Sequence, residues 1–311
     1  MSKYDTEVDL ANEGTSHAQI VDLVGYNKRV LDVGCASGYL AAVLKQRGCI
    51  VFGAEMDERA AAEAGEHVER VAVGDLETMD LSAEFAGEQF DVVVYGDVLE
   101  HLRDPLPTLR QGRTLLARGG SVVVSVPNVA HGAVRLALLR GEFTYRELGL
   151  LDSTHLRFFT RDNLEELMRS AGLVMVDTRR TVAGVFETEL AVKPEDYAMA
   201  LVDEILEDRD ATTYQFVVRA VPDDGDRAVT EMYERLRALD DHVHVLEREL
   251  STARATVAEH EAARVEHETD RRTAEQRAAA LESELAAAAA TVSARALRGP
   301  RAVYGRLRGT R

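Results

Sequence analysis

The sequence predicts an α/β fold: a doubly wound, seven-stranded, mostly parallel sheet followed by a long C-terminal α-helical coiled coil. Three observations carry that expectation. Short β-branched runs bounded by Gly, Asp or Pro alternate with helix-like stretches as far as residue 221. The runs are continuously apolar, as suits strands buried on both faces of a parallel sheet. Beyond Gly225 the character changes, with neither Pro nor Gly from Asp226 to Arg298 and apolar residues at heptad spacing.

Taken in order, the strands are RVLDVG (29–34), CIVFGAE (49–55), RVAVGD (70–75), FDVVVYG (90–96) and GSVVVSVP (120–127). LVMVDTRR (173–180) and TYQFVVRAV (213–221) complete the sheet. Helices are expected at Tyr39–Arg47, Glu58–Val68, Leu106–Leu116 and over RDNLEELMRSAG (161–172). Two insertions, 128–159 and 181–212, interrupt the alternation, the second with a helix from Pro194 to Glu207. Long segments beyond the carboxyl ends of strands are where pockets are built, so both are expected to shape a ligand site within a domain spanning 1–222. In the helix of 226–296, one seam position carries Val229, Leu236, Val243, Leu250 and Val257, and the other Met232, Leu239, Leu246 and Ala253. That seam predicts self-association or pairing with a partner coiled coil. The stretch ARALRGPRAVYGRLRGTR has six arginines and no acid. Residues 297–311 are read as a disordered basic tail, with contact to an anionic membrane surface as the sharper alternative.

Composition narrows the function. The chain has 311 residues and a formal net charge of −17, which disfavours wrapping nucleic acid. A hydrophobic content of 46% is enough for a substantial core. Two cysteines, Cys35 and Cys49, make neither a disulfide framework nor a Cys-based metal site. MSKYDTEVDLANEG contains no apolar signal core, and no run reaches the roughly 18–20 apolar residues of a membrane span. A soluble, cytoplasmic protein is expected.

The turn in VLDVGCASGYL, Val30 to Leu40, comes after the first strand, where nucleotides bind in such sheets. It is not the dinucleotide fingerprint G-x-G-x-x-G, because Gly34 and Ala36 are followed by Tyr39 at the third glycine position. It is not a phosphate-cradling G-x-x-x-x-G-K-[ST] loop either. Asp32 precedes the turn, and a carboxylate there repels phosphate but can pair with an ammonium group.

At these residues the sequence resembles class I S-adenosylmethionine-dependent methyltransferases, with a Rossmann-like sheet, over most of residues 1–220. VLDVGCASG is similar to their first motif, which implies cofactor contacts at Asp32, Gly34, Ala36 and Gly38. Ala36 departs from the family's middle glycine. GAEMD, at the end of the second strand, resembles the ribose motif, with Glu55 accepting from both hydroxyls and Met56 against the adenine. GDLE is similar to the adenine-edge motif, with Asp75 accepting from the exocyclic amine and Leu76 covering the ring. FDVVVYGDVLEHL, containing Asp97, resembles the fourth motif, and LLARGGSVVVSVPN the fifth strand with its approach. The resemblance implies S-adenosyl-L-methionine as cofactor.

The segment from Asn128 to Thr160, ending in DSTHLRFFT, resembles a bacterial subgroup linked to sugar and cell-surface polysaccharide biosynthesis. That resemblance implies a sugar or glycan hydroxyl as acceptor, with His155 or His131 as general base, since an imidazole with a pKa near 6.5 is well suited to the task. Two other readings use the same features. Asp97, Glu100 and His101 form D-x-x-E-H and, with His155, loosely resemble the metal constellation of small-RNA 2′-O-methyltransferases. E-H-L at this place also occurs in methyltransferases without a metal, so no metal ligand is assigned, and the acidic chain makes RNA a poor partner. The remaining reading, a catalytically silent coiled-coil scaffold, is disfavoured by intact Asp32, Gly34 and Glu55.

Overall fold

A computed structural model describes residues 8–225 and 227–306. In chain order the elements are α1 (Ser16–Val24), β1 (Arg29–Val33), α2 (Tyr39–Gln46), β2 (Ile50–Glu55), α3 (Glu58–Ala64), β3 (Val71–Val73), α4 (Leu81–Glu84) and β4 (Phe90–Gly96). There follow α5 (Pro105–Thr114), β5 (Leu116–Pro127), α6 (Gly132–Leu139), α7 (Arg161–Ser170), β6 (Leu173–Val182), α8 (Met199–Ile205), β7 (Thr213–Pro222) and α9 (Arg227–Arg306). The seven strands lie in the order β3-β2-β1-β4-β5-β7-β6. All neighbours from β3 to β5 pair in parallel, while β7 runs antiparallel to both β5 and β6. The expected doubly wound sheet is therefore present.

Alternation along the strands explains the layers. Val30, Val92, Val94, Val123 and Val217 pack on one face with Ile20, Val24, Leu40 and Leu44 of α1 and α2. Leu31, Val33, Val93, Val122, Val124 and Val218 pack on the other with Leu81, Leu109, Leu164 and Met168 of α4, α5 and α7. Both faces are buried, which is why the strands read as unbroken apolar runs. Winding reverses between β1 and β4, and this opens a crevice at their carboxyl ends.

Several boundaries differ from expectation. The helix expected to reach Val68 stops at Ala64, with Gly65 as its C-cap. Leu116, expected at a helix end, starts β5, whose pairing with β4 is irregular between Phe90 and Val92. Three helices, α1, α4 and α6, arise where no element was expected. Thr15 caps α1 by accepting from the Ala18 amide, and α6 forms inside the first insertion. No helix among the described residues is long and apolar enough to cross a membrane.

The compact unit runs beyond the expected boundary at 222, as far as Asp241. Tyr233 of α9 is buried and belongs to the same core as Leu164 and Met168. Arg237 pairs with Asp162 and Glu165 of α7, and Asp241 with Arg161 at 3.1 Å. From His242 the helix forms a separate unit. Its seam residues Val243, Leu246, Leu250 and Val257 are exposed. The helix continues past 296 to Arg306, and the last residues of the basic tail, 307–311, lie outside the described residues, as do 1–7.

Candidate active site

The crevice between β1 and β4 deepens into a cavity of about 720 Å3. One wall is the turn after β1. Gly34 has φ of 80°, and a Cβ there would stand 2.5 Å from Val98 Cγ2. Gly38 has φ of 81°, and its Cβ would meet the Ala64 Cα at 2.9 Å, so neither position accepts a side chain without displacement. Ala36, between them, is also left-handed, at φ of 46°. Gly34 and Ala36 line the cavity, whereas Gly38 caps α2 behind it. Asp32 is 3% exposed and is not part of the wall. Burial first, and the Glu55 charge second, push its carboxyl up to about 7.

Glu55, Met56, Asp75 and Leu76, from the ends of β2 and β3, all line the same wall. Glu55 is held from below: its Oε2 accepts from the Ala36 amide at 2.9 Å, and its Oε1 from the amides of Met56 and Asp57 at 2.8 and 2.9 Å. A carboxylate offers about four acceptor positions, so three are already used. Asp75 Oδ1 accepts from the Glu77 amide at 2.9 Å and fixes its turn. Asp97, at φ of 55°, accepts on Oδ1 from Ser125 Oγ at 2.8 Å and Gln215 Nε2 at 2.9 Å. Burial raises its carboxyl, against these donors and the nearby His17 and His101. His17 and Tyr39, 3.3 Å apart between Nε2 and the hydroxyl, close this end. Sequence reasoning missed both, as well as Gln215 and Tyr214. The S-H-A-Q start of α1 carried a signal only through its cap at Thr15.

The opposite wall comes from the first insertion and β7, with Leu148, Gly149, Asp152, His155, Leu156 and Tyr214. Asp152 Oδ1 accepts from the amide and hydroxyl of Thr154, at 2.8 and 2.7 Å. The chain then clamps onto the turn after β4, because the amides of Leu156 and Arg157 both donate to the Glu100 carbonyl, at 2.8 and 3.0 Å. His101 Nδ1 donates to the Thr154 carbonyl at 3.2 Å, and the His101 and His155 rings meet edge-to-face at 5.0 Å. Beside them Glu100 is 1% exposed, and neither of its carboxylate oxygens has a hydrogen-bond partner among the described residues. Burial, then the charges of Asp97 and Asp152, hold this carboxyl well above its ordinary range.

His131 is placed elsewhere. It is fully buried, caps α6, and does not line the cavity. Its Nδ1 accepts from the Ala133 amide at 3.2 Å, so Nε2 carries the proton and donates to the Ala183 carbonyl at 3.1 Å. Burial lowers its pKa, in keeping with a neutral ring whose two nitrogens are engaged by backbone.

The family described as "Methyltransferase domain" matches residues 16–178, which span the turn, the β2 to β4 carboxylates and the His155 wall. The chain belongs to this family. It is 33% identical over 184 residues to a ubiquinone biosynthesis O-methyltransferase of Ruegeria pomeroyi, covering 58% of this chain and 74% of that one. It is 35% identical over 156 residues to the enzyme of the same name from Cereibacter sphaeroides, covering 50% and 63%. A solved S-adenosylmethionine-dependent methyltransferase from Archaeoglobus fulgidus aligns with a TM-score of 0.49 at 16% identity, over 68% of this chain and 94% of that one.

The cofactor of this methyltransferase is S-adenosylmethionine, and the cavity suits it. Among the described residues, seven acidic side chains line it (Glu55, Asp57, Asp75, Glu77, Asp97, Glu100 and Asp152) against one guanidinium, that of Arg103. Such a wall repels a pyrophosphate and attracts a sulfonium and an ammonium group.

Proposed function

We propose that this methyltransferase transfers its methyl group to a hydroxyl of a small molecule, a sugar or glycan hydroxyl in the first reading. The observation that carries the proposal is a single cavity whose one wall holds Glu55 and Asp75 and whose other holds the DSTHLRFFT turn with Asp152 and His155. S-adenosylmethionine, when bound, supplies the methyl as part of a sulfonium already activated for displacement. Glu55, Met56, Asp75 and Leu76 hold the nucleoside, while Gly34, Ala36 and Asp97 serve the amino-acid end, with Asp32 and Gly38 shaping the turn from behind. The acceptor O–H gives up its proton at the acceptor wall, beside Glu100, His101 and His155. The freed oxygen bonds the methyl carbon as the carbon–sulfur bond breaks, and a neutral thioether leaves. Alignment and exclusion of water account for the rest.

A second reading, a phenolic hydroxyl, is favoured by the relatives named for ubiquinone biosynthesis and by the apolar Leu102, Leu148 and Leu156 in the cavity. The deciding experiment incubates the full chain with S-adenosylmethionine and panels of methyl glycosides, catechols and amines, and locates the new methyl group by mass spectrometry. Turnover on hydroxyls is expected, with His155→Ala slower by roughly 10²–10⁴-fold while S-adenosylhomocysteine affinity is kept. Methylation of amines or carbon alone would sink the reading.

Residues 226–296 pair two copies of the chain as a coiled coil in this proposal, with the exposed Val243, Leu246, Leu250 and Val257 at the seam. The arginine-rich end is assigned to contact with an anionic membrane surface.

A further inference from the structure

We propose that Glu100, His101 and His155 bind one divalent transition-metal ion, of the zinc and manganese class, at the acceptor wall of the cavity. Each of the three residues offers one ligand atom, and these atoms all lie within 4.8 Å of one another. One carboxylate with two imidazoles is a donor set for zinc, manganese or iron, whereas magnesium and calcium select oxygen ligands.

The strongest indication is Glu100. It is 1% exposed, it lines the cavity, and neither carboxylate oxygen is hydrogen-bonded among the described residues. A buried carboxylate without partners is costly. A cation shared with two imidazoles supplies what the side chain lacks.

The imidazoles are held as ligands are held. His101 donates its Nδ1–H to the Thr154 carbonyl at 3.2 Å, which leaves the ring's lone pair on Nε2. A backbone carbonyl on the other ring nitrogen is the usual outer support of a metal-bound histidine. His155 is brought alongside by the two hydrogen bonds that the amides of residues 156 and 157 donate to the Glu100 carbonyl. Its ring is fixed at 5.0 Å from that of His101. Asp97 and Asp152, lining the same cavity, add negative charge around the cluster.

Three protein ligands leave coordination positions for an acceptor oxygen. There the ion acts as a Lewis acid that lowers the hydroxyl pKa. With the His155 lone pair on the metal, the proton released by the acceptor passes to water rather than to imidazole. This use of the ion rests on the hydroxyl-acceptor reading; the binding site does not.

The test strips the full chain with a chelator and titrates it separately with zinc, manganese and magnesium chlorides by calorimetry. Glu100→Gln, His101→Ala and His155→Ala are run alongside, with S-adenosylhomocysteine affinity as the check on folding. One equivalent of zinc or manganese is expected to bind, more tightly than magnesium, and each variant should weaken it by about tenfold or more. The cobalt-loaded chain should show visible absorption bands that His155→Ala abolishes. Absence of stoichiometric binding, or binding unchanged in both histidine variants, overturns the site. Hydroxyl methylation at full rate by the stripped chain overturns the catalytic use of the ion and leaves the hydroxyl reading standing. Tight binding by a chain that methylates no hydroxyl supports the site and overturns that reading instead.

Discussion

Asp32 shows how a buried carboxyl behind the cavity wall burdens the fold that carries it. Its carboxyl is 3% exposed and titrates near 7 because burial, and then Glu55, oppose its charge. The ordinary value is 3.8, so between about 4 and 7 the folded chain keeps a proton that the unfolded chain has released. Stability therefore falls as pH rises through that window, and the full penalty, on the order of 4 kcal/mol, applies above it. Asp32→Asn removes the penalty. In urea unfolding without cofactor, the variant should gain on the parent by about 2–3 kcal/mol between pH 5 and pH 8, while binding S-adenosylhomocysteine more weakly. An equal difference at both pH values would show that the carboxylate is solvated after all. Residue identity also hid a distinction. His131 and His155 both lie in the first insertion as polar residues among apolar ones, and nothing local separates them. One has its ring nitrogens occupied by the Ala133 amide and the Ala183 carbonyl; the other faces the cavity beside His101.

At the scale of elements, the two insertions act together. Glu189, in the second, accepts on Oε1 from the Leu150 amide in the first, at 2.6 Å, and on Oε2 from the Tyr214 hydroxyl at 2.9 Å. This ties both insertions to β7 beside the acceptor wall, where Gly149 and Tyr214 line the cavity. Tyr214→Phe leaves a charged group one donor short, a loss of about 1–3 kcal/mol. We expect the acceptor KM to rise several-fold with S-adenosylhomocysteine affinity unchanged, as read by calorimetry and initial rates. A change in cofactor affinity alone would place Tyr214 in the wrong half of the site. The strands were legible because burial on both faces leaves an unbroken apolar run. The helices α1 and α6 were not: α6 starts at a histidine cap, and α1 is marked by Thr15 alone. The early start of β5 at Leu116 was hidden by Gly119 and Gly120, which read as a turn and lie inside the strand.

For the molecule as a whole, the boundary between its two units decides what can be cut away. Tyr233 is 6% exposed within the core of the catalytic unit, and Arg237 and Asp241 pair with α7. Ending the chain at Asp241 should leave melting temperature and S-adenosylhomocysteine binding intact and abolish self-association in sedimentation velocity. Ending it at Gly225 should cost about 3–5 kcal/mol, because a core aromatic goes with the helix. Equal stability of the two truncations would mean that Tyr233 packs against nothing that needs it, and a monomeric full chain would remove the coiled-coil proposal.

The sequence alone determined the sheet and the glycine turn after β1. Each of those depends on local rules: a buried strand is apolar throughout, left-handed backbone favours glycine, and ligand groups fall at strand ends. The resemblance to methyltransferase motifs at the strand ends pointed to Glu55 and Asp75, and both line the cavity. What only the tertiary structure decided depends on contacts distant in sequence. Glu100 and His155 become neighbours because amides of residues 156 and 157 bond the Glu100 carbonyl across a sequence gap of more than fifty residues. Tyr233 becomes core because α7 offers it a place. A spacing can propose such pairs, but their energy comes from burial and bonds that exist only once the chain has closed on itself.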